Sequence, residues 1–163
     1  MNILTRDHTH YDINFLQEML YEAVFWRPNI SRPPIKEGLS HPDIAKVLSN
    51  WGRDGDTAVI AYTEEGERVG AVWYRFWTHD NHSYGFVTPD IPEIGIGVKQ
   101  KYRRRGIGNA LLTQLIEISI NNNIKQLSLS VEKDNPAQHL YKKHHFKKVK
   151  TIINALTMVR TNS

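Results

Sequence analysis

The chain has 163 residues, enough for one domain that buries roughly two-thirds of its unfolded surface. Its 40% hydrophobic and 23% charged residues match a globular composition, and no run reaches the ~18 consecutive apolar positions of a membrane-spanning helix. The formal charge of +4 comes partly from two basic clusters, 99–105 and 142–150, and the absence of cysteine excludes disulfides, thiolate metal sites and a cysteine nucleophile.

In chain order, residues 1–7 hold no apolar stretch of signal-peptide length, which sets the expectation of a cytoplasmic protein. A short apolar start at Ile3 and Leu4 precedes Phe15, Leu16, Met19, Leu20, Ala23 and Val24, whose spacing predicts an amphipathic helix over 12–25. Arg27-Pro28 stops it, and with Pro33-Pro34 predicts an irregular loop over 27–40, followed by a second helix after His41-Pro42. Two β-branched and aromatic runs, 57–62 and 69–77, flank the turn at Glu65-Gly66 and predict a hairpin. A short strand over 93–98 leads to a helix over 107–120 with Ile107, Leu111, Leu115 and Ile118 on one face, ended by Asn121-Asn122-Asn123. Leu127, Leu129 and Val131 alternate with serines as a half-buried strand, 135–143 reads as a further helix, and two strands close the chain from Phe146. The strand-helix-strand crossover predicts a parallel, right-handed pair. With no repeat, low-complexity tract or linker, residues 1–163 are expected to form a single domain.

The stretch from Glu93 to Leu112 carries the chemistry, because a strand there passes through a basic, glycine-bearing turn into a helix. The first turn of a helix has unpaired amides and a partial positive charge, and glycine lets an anion come close to that backbone. Arg103, Arg104 and Arg105 add guanidinium groups suited to phosphate oxygens. Glycines at a helix start also serve as plain turn residues, and basic runs as solvated surface. A dinucleotide turn fits poorly, since Leu111 stands where the third glycine belongs and 99–105 separate the strand from Gly106. A P-loop is excluded because no Gly-Lys-Ser/Thr follows.

On these residues the chain resembles the GNAT superfamily of N-acetyltransferases. The superfamily signature Gln/Arg-x-x-Gly-x-Gly/Ala is matched by Arg103-Arg104-Arg105-Gly106-Ile107-Gly108, preceded by Val98 and Tyr102; a second block runs from Asn135 through Leu140-Tyr141 to Phe146. The match covers residues 93–146, a third of the chain. Gln100 departs from a common proline, and His144-His145 from a common Leu-Gly, which bears on the local turn. The resemblance implies a mixed α/β (α+β) fold: a central twisted sheet of about six to seven strands, flanked by about four helices, whose two parallel strands splay apart at the cosubstrate site. It implies acetyl-CoA as cosubstrate, with the diphosphate on backbone amides from Arg104 through Gly106, Ile107 and Gly108 to Asn109, and Arg103 and Arg105 adding charge. The pantetheine arm would meet the strand at Ile96, Gly97 and Val98. In relatives the splay accompanies a β-bulge; Gly95 and Gly97 suit that close approach, or simple packing.

The same resemblance gives Tyr141 the role of protonating the departing thiolate, which suits a phenol of reference pKa ~10. Asn135 would orient the cosubstrate or cap its helix. An amine of pKa ~10.4 is about one part in a thousand neutral near pH 7.4, so a base helps, and Glu93 at the head of the strand is the carboxylate of choice. Transfer is expected to be direct, with no acyl-enzyme and no metal; His79 and His82 lack a third ligand. Trp26, Trp73, Tyr74, Trp77, Tyr84 and Phe86 line either an acceptor cleft or the core, and loop 27–40 is a candidate lid. The expected partner is an amine acceptor rather than nucleic acid or membrane, and a homodimer is compatible with the habits of small relatives. The alternative is an acyl-CoA sensor that keeps the phosphate cradle without turnover.

Overall fold

In the computed structural model the described residues are 4–7 and 12–163. Seven strands form one sheet: β1 (Leu4–Asp7), β2 (Thr57–Tyr62), β3 (Arg68–Arg75), β4 (Glu93–Val98), β5 (Gln126–Glu132), β6 (Lys147–Ile152) and β7 (Ala155–Thr161), in the order β1-β2-β3-β4-β5-β7-β6. Every neighbouring pair is antiparallel except β4 and β5, which are parallel. The helices are α1 (Ile13–Val24), α2 (Ile35–Gly38), α3 (Pro42–Ala45), α4 (Ile107–Asn121) and α5 (Gln138–Lys143).

The helices divide between the two faces as the burial of alternate strand residues requires. On one face, Phe15, Leu16 and Met19 of α1 pack on Ala58, Ile60, Ala71 and Trp73. On the other, Ile107, Leu111 and Leu115 of α4 pack with Val59, Val72, Tyr74 and Ile94, and α5 adds Tyr141 beside Phe146. Each such apolar side chain contributes roughly 1.5–3 kcal/mol by leaving water. Strand β6 is exposed along its whole length, and Lys147, Lys148 and Lys150 guard this outer edge against adventitious pairing.

The elements agree with the periodicities, with three differences. A four-residue strand β1 pairs with β2, where only an apolar start at Ile3 and Leu4 is visible in the sequence, and Ile3 lies outside the described residues. The loop over 27–40 is not wholly irregular, since α2 forms one turn directly after Pro33-Pro34. Helix α5 begins at Gln138 rather than at 135, because Asn135 Oδ1 accepts from the Ala137 N–H at 2.9 Å and holds 135–137 as an entry turn. The His144-His145 turn forms although glycine is missing: His145 sits at φ 66°, a left-handed conformation that glycine adopts more easily.

Candidate active site

Two features of the sheet meet at its centre, a fork between β4 and β5 and a turn of free amides at the start of α4. The parallel ladder holds one pair, Glu93↔Ser128, although β4 runs on to Val98 and β5 to Glu132. The strands therefore separate beyond Glu93, as splayed strands do. The Lys99 N–H donates to Val69 O at 2.9 Å, so by the alternation of an antiparallel ladder Ile96 and Val98 turn their main-chain groups away from β3, toward the fork. Arg103 Nε donates to Val98 O at 3.3 Å.

The β3/β4 register runs from Gly70↔Val98 to Arg75↔Glu93 without a shift, so no bulge lies on that side of β4. Packing accounts for its glycines. A Cβ on Gly97 would sit 2.1 Å from Met19 O of α1, and one on Gly95 would sit 2.5 Å from the Trp73 ring.

After β4, a 3₁₀ turn over Gln100–Tyr102 leads to Arg104 at φ 63° and Gly106 at φ 82°, the N-cap of α4. Among the described residues the amides of 104–109 meet no backbone acceptor, and α4 has no side-chain cap. Nothing lies within 4 Å of a Cβ placed on Gly106, so the turn is open at that residue. Gly108 serves a different end, since a Cβ there would come 3.0 Å from Leu140 Cδ2 of α5. Ile107 is buried in the core, and Asn109 Oδ1 lies 2.8 Å from His144 Nε2, tying α4 to the end of α5.

The basic cluster over 99–105 divides by role. Tyr102 donates to Glu67 at 2.7 Å, and Lys99 and Lys101 lie 3.5 and 3.7 Å from the same carboxylate. Arg103 is committed to the end of α1 and the residues just past it, donating to Glu22 O at 3.2 Å and to Trp26 O at 3.3 Å. Exposed Arg104 and Arg105 flank the amide turn, Arg105 resting 5.4 Å over the Tyr102 ring. Free amides, a helix start and two guanidinium groups make an anion cradle.

A cavity of about 610 Å³ opens at the fork, between α1, the α3 region, β3, the ends of β4 and β5, and the β6–β7 turn. Glu93 and Asn135 line it; Tyr141 does not. The Gly85 N–H donates to Glu93 Oε2 at 3.0 Å, while Oε1 is shut off from solvent with no hydrogen-bond partner. As a residue Glu93 is half-buried, but its carboxyl lies deep, and burial pushes the pKa from 4.5 up to about 7; the Gly85 amide, the Lys46 charge and the Trp77 indole oppose that shift. Gly85 is the residue that sequence reading missed here. A Cβ at this position would meet Glu93 Oε2 at 2.7 Å, so glycine is what lets the 83–86 segment close over the carboxylate.

Tyr141 is buried, its ring 6.0 Å from that of Phe146, and burial holds its phenol above the ordinary value of 10. The aromatic group divides. Trp26, Trp73, Trp77 and Tyr84 line the cavity, whereas Tyr74 belongs to the α4-side core and Phe86 stacks on His82 at 4.5 Å. Among the described residues no cluster of histidine and carboxylate side chains has the makings of a metal site. At the cavity mouth Arg27, 4.4 Å over the Trp26 ring, bridges to Glu132 and to Asp134 at 2.5 Å, so the 27–40 segment is fastened across the fork.

The acetyltransferase (GNAT) family profile matches residues 20–146, which include α1, the fork and the cradle. The chain belongs to the acetyltransferase (GNAT) family. Membership makes it an acetyl-CoA-dependent acyltransferase, and the seven-stranded mixed sheet with one parallel pair is the GNAT fold. Solved structures with this fold include a ribosomal-protein-alanine N-acetyltransferase from Brucella melitensis, 23% identical, with a TM-score of 0.70 over 98% of this chain and 99% of that one. A PaiA N-acetyltransferase from Thermoplasma acidophilum, in complex with coenzyme A, is 20% identical with a TM-score of 0.69 over 99% and 100%. A phosphinothricin acetyltransferase from Sinorhizobium meliloti, in complex with acetyl-CoA, is 19% identical with a TM-score of 0.71 over 99% and 89%. None of the curated proteins matches the sequence. Among the described residues no helix is long and apolar enough to cross a membrane.

Proposed function

We propose that the protein moves an acetyl group from acetyl-CoA directly to a primary amine, with Glu93 as proton acceptor and Tyr141 as proton donor. The observation that carries this reading is Glu93: a deep carboxyl lining the cavity at the fork, with one oxygen lacking any partner. The residues present fit the cosubstrate. The free amides of 104–109 suit a diphosphate, with Arg104 and Arg105 alongside, and the main-chain groups of Ile96 and Val98 that face the fork suit an amide-bearing arm. When bound, acetyl-CoA supplies an activated thioester carbonyl.

Glu93, with its pKa near 7, accepts a proton at neutral pH, directly or through water, from an amine that would otherwise stay protonated. Tyr141, kept neutral by burial, has a proton to give to sulfur. Asn135 shapes the entry to α5 by accepting from the Ala137 N–H, which positions the helix that carries Tyr141. Several of the structurally similar proteins are named as N-acetyltransferases, in keeping with nitrogen as the acceptor atom.

Calorimetry with acetyl-CoA and thiol release against a panel of amines test the proposal together. The wild type should bind acetyl-CoA and release thiol with at least one amine. Tyr141→Phe should bind equally well, because the ring packing is kept, and turn over about 100-fold more slowly. Undiminished turnover in that variant would remove Tyr141 from the mechanism, and no association at millimolar acetyl-CoA would remove the proposal.

A further inference from the structure

We infer that the acceptor is a small monoamine whose amino group is carried on an aromatic or bulky apolar body without an acidic group, an arylalkylamine in kind. The inference rests on the amine transfer proposed above and adds the class of amine. It follows from which groups in the cavity are free and which are taken.

The walls are aromatic. Trp26 beyond α1, Trp73 and Trp77 in and just after β3, and Tyr84 of the covering loop come from three segments and converge on one space. Flat rings of this kind suit another ring or a branched apolar body. A volume of about 610 Å³ is that of a small-molecule pocket.

Among the described residues the lining offers no free arginine or lysine. Arg75 is its one arginine, and every nitrogen already donates: Nε to Asp56 Oδ1 at 2.9 Å, Nη2 to Asp56 Oδ2 at 2.7 Å, and Nη1 to the carbonyls of Lys46, Val47 and Ser49 at 3.3, 3.2 and 2.7 Å. His41 lines the cavity too, but its Nδ1 accepts from the Asp43 N–H at 3.1 Å. A carboxylate or phosphinate on the acceptor would thus find no free cation to pair with, only neutral donors such as the His41 Nε2–H and the Asn135 amide, and burying that charge is unfavourable.

The free group is instead an acceptor of hydrogen bonds. Glu93 lines the cavity, and its Oε1, closed to solvent, has no donor; a turn of the carboxyl would present it to the N–H groups of an entering amine. The other two carboxylates on the lining are engaged, Asp43 by the Tyr84 hydroxyl at 2.7 Å and Glu132 by Arg27. One free carboxylate matches one ammonium, so a polyamine fits less well than a monoamine.

The test compares 2-phenylethylamine with L-phenylalanine, propylamine and spermidine, by thiol release from acetyl-CoA and by quenching of the cavity tryptophans at equilibrium. Phenylalanine adds only a carboxylate, propylamine removes the ring, and spermidine adds charge. We expect kcat/KM for 2-phenylethylamine to exceed that for phenylalanine by about 100-fold and that for propylamine and spermidine by at least tenfold. Trp26→Ala should narrow the gap between 2-phenylethylamine and propylamine. Equal or better turnover of phenylalanine or spermidine overturns the inference, as does 2-phenylethylamine neither reacting nor quenching. Quenching by 2-phenylethylamine without acetyl-CoA binding or thiol release would leave the pocket's preference standing while removing the transfer reaction.

Discussion

Glu93 shows how one buried oxygen couples activity to stability. Its pKa is raised by the fold, so the folded state holds the proton more tightly than the unfolded chain does. Stability therefore falls as pH rises from about 4.5, the value in the unfolded chain, to about 7, and the whole cost remains above that. A shift of this size corresponds to an upper bound on the order of 3 kcal/mol. Glu93→Gln keeps an acceptor for the Gly85 amide and removes the charge. We expect it to unfold at higher temperature than wild type at pH 8 and at nearly the same temperature at pH 4, while acetyl transfer drops about 100-fold. Wild-type kcat/KM should climb with pH through about 7, and a pH profile of the two proteins checks both signs. The position of Glu93 at the head of a strand is legible in the sequence, but its burial is not, because the covering segment with Gly85 has no periodicity to announce it. The arginines teach the same lesson. Three in a row look alike, and only the path of α1 shows that Arg103 is held by main-chain carbonyls while Arg104 and Arg105 stay at the turn.

At the scale of elements, α1 approaches β4 so closely that one position decides the packing. A methyl group at Gly97 would lie 2.1 Å from the Met19 carbonyl, and both partners are backbone that cannot swing aside. Gly97→Ala should therefore cost about 3 kcal/mol in denaturant unfolding and loosen α1, because the helix has to shift as a body. Gly106→Ala is the useful contrast. Nothing stands near its Cβ, so only the left-handed φ of 82° opposes the change, and the loss should be nearer 1 kcal/mol. The longer elements were readable because burial imposes a regular spacing, as at Ile107, Leu111 and Leu115. The shortest were not: β1 has four residues and α2 one turn behind Pro34, whereas the one-turn α3 was signalled only by its His41-Pro42 start. Too few residues repeat in them for a period to emerge.

At the scale of the molecule, Arg75 joins the sheet to the connection between α3 and β2. Its guanidinium, almost wholly buried, stacks 5.2 Å from Trp51 and holds Asp56 together with three carbonyls of the 46–49 segment. Arg75→Leu takes the charge partner from the Asp56 carboxylate, leaving it only the Gly52 and Arg53 amides, and strips those carbonyls of their donor, and we expect a loss of about 3 kcal/mol, read as a lower urea midpoint. The cavity wall at Ile44 and Val47 should loosen with it, weakening binding of an acceptor amine. The strand sequence already suggests the β2–β3 hairpin and the parallel β4–β5 crossover, but not that β7 inserts between β5 and β6. The convergence of distant aromatic residues on one cavity does not follow, since it depends on how far each segment travels. The single Glu93↔Ser128 pair has a mechanical consequence. Because the β1–β4 sector and the β5–β7–β6 sector share one rung, the core under α4 and the Arg27 bridge to Glu132 and Asp134 carry the rest of the join between them. A long, narrow guest lying between the two sectors beyond that rung then breaks no ladder pair of either one.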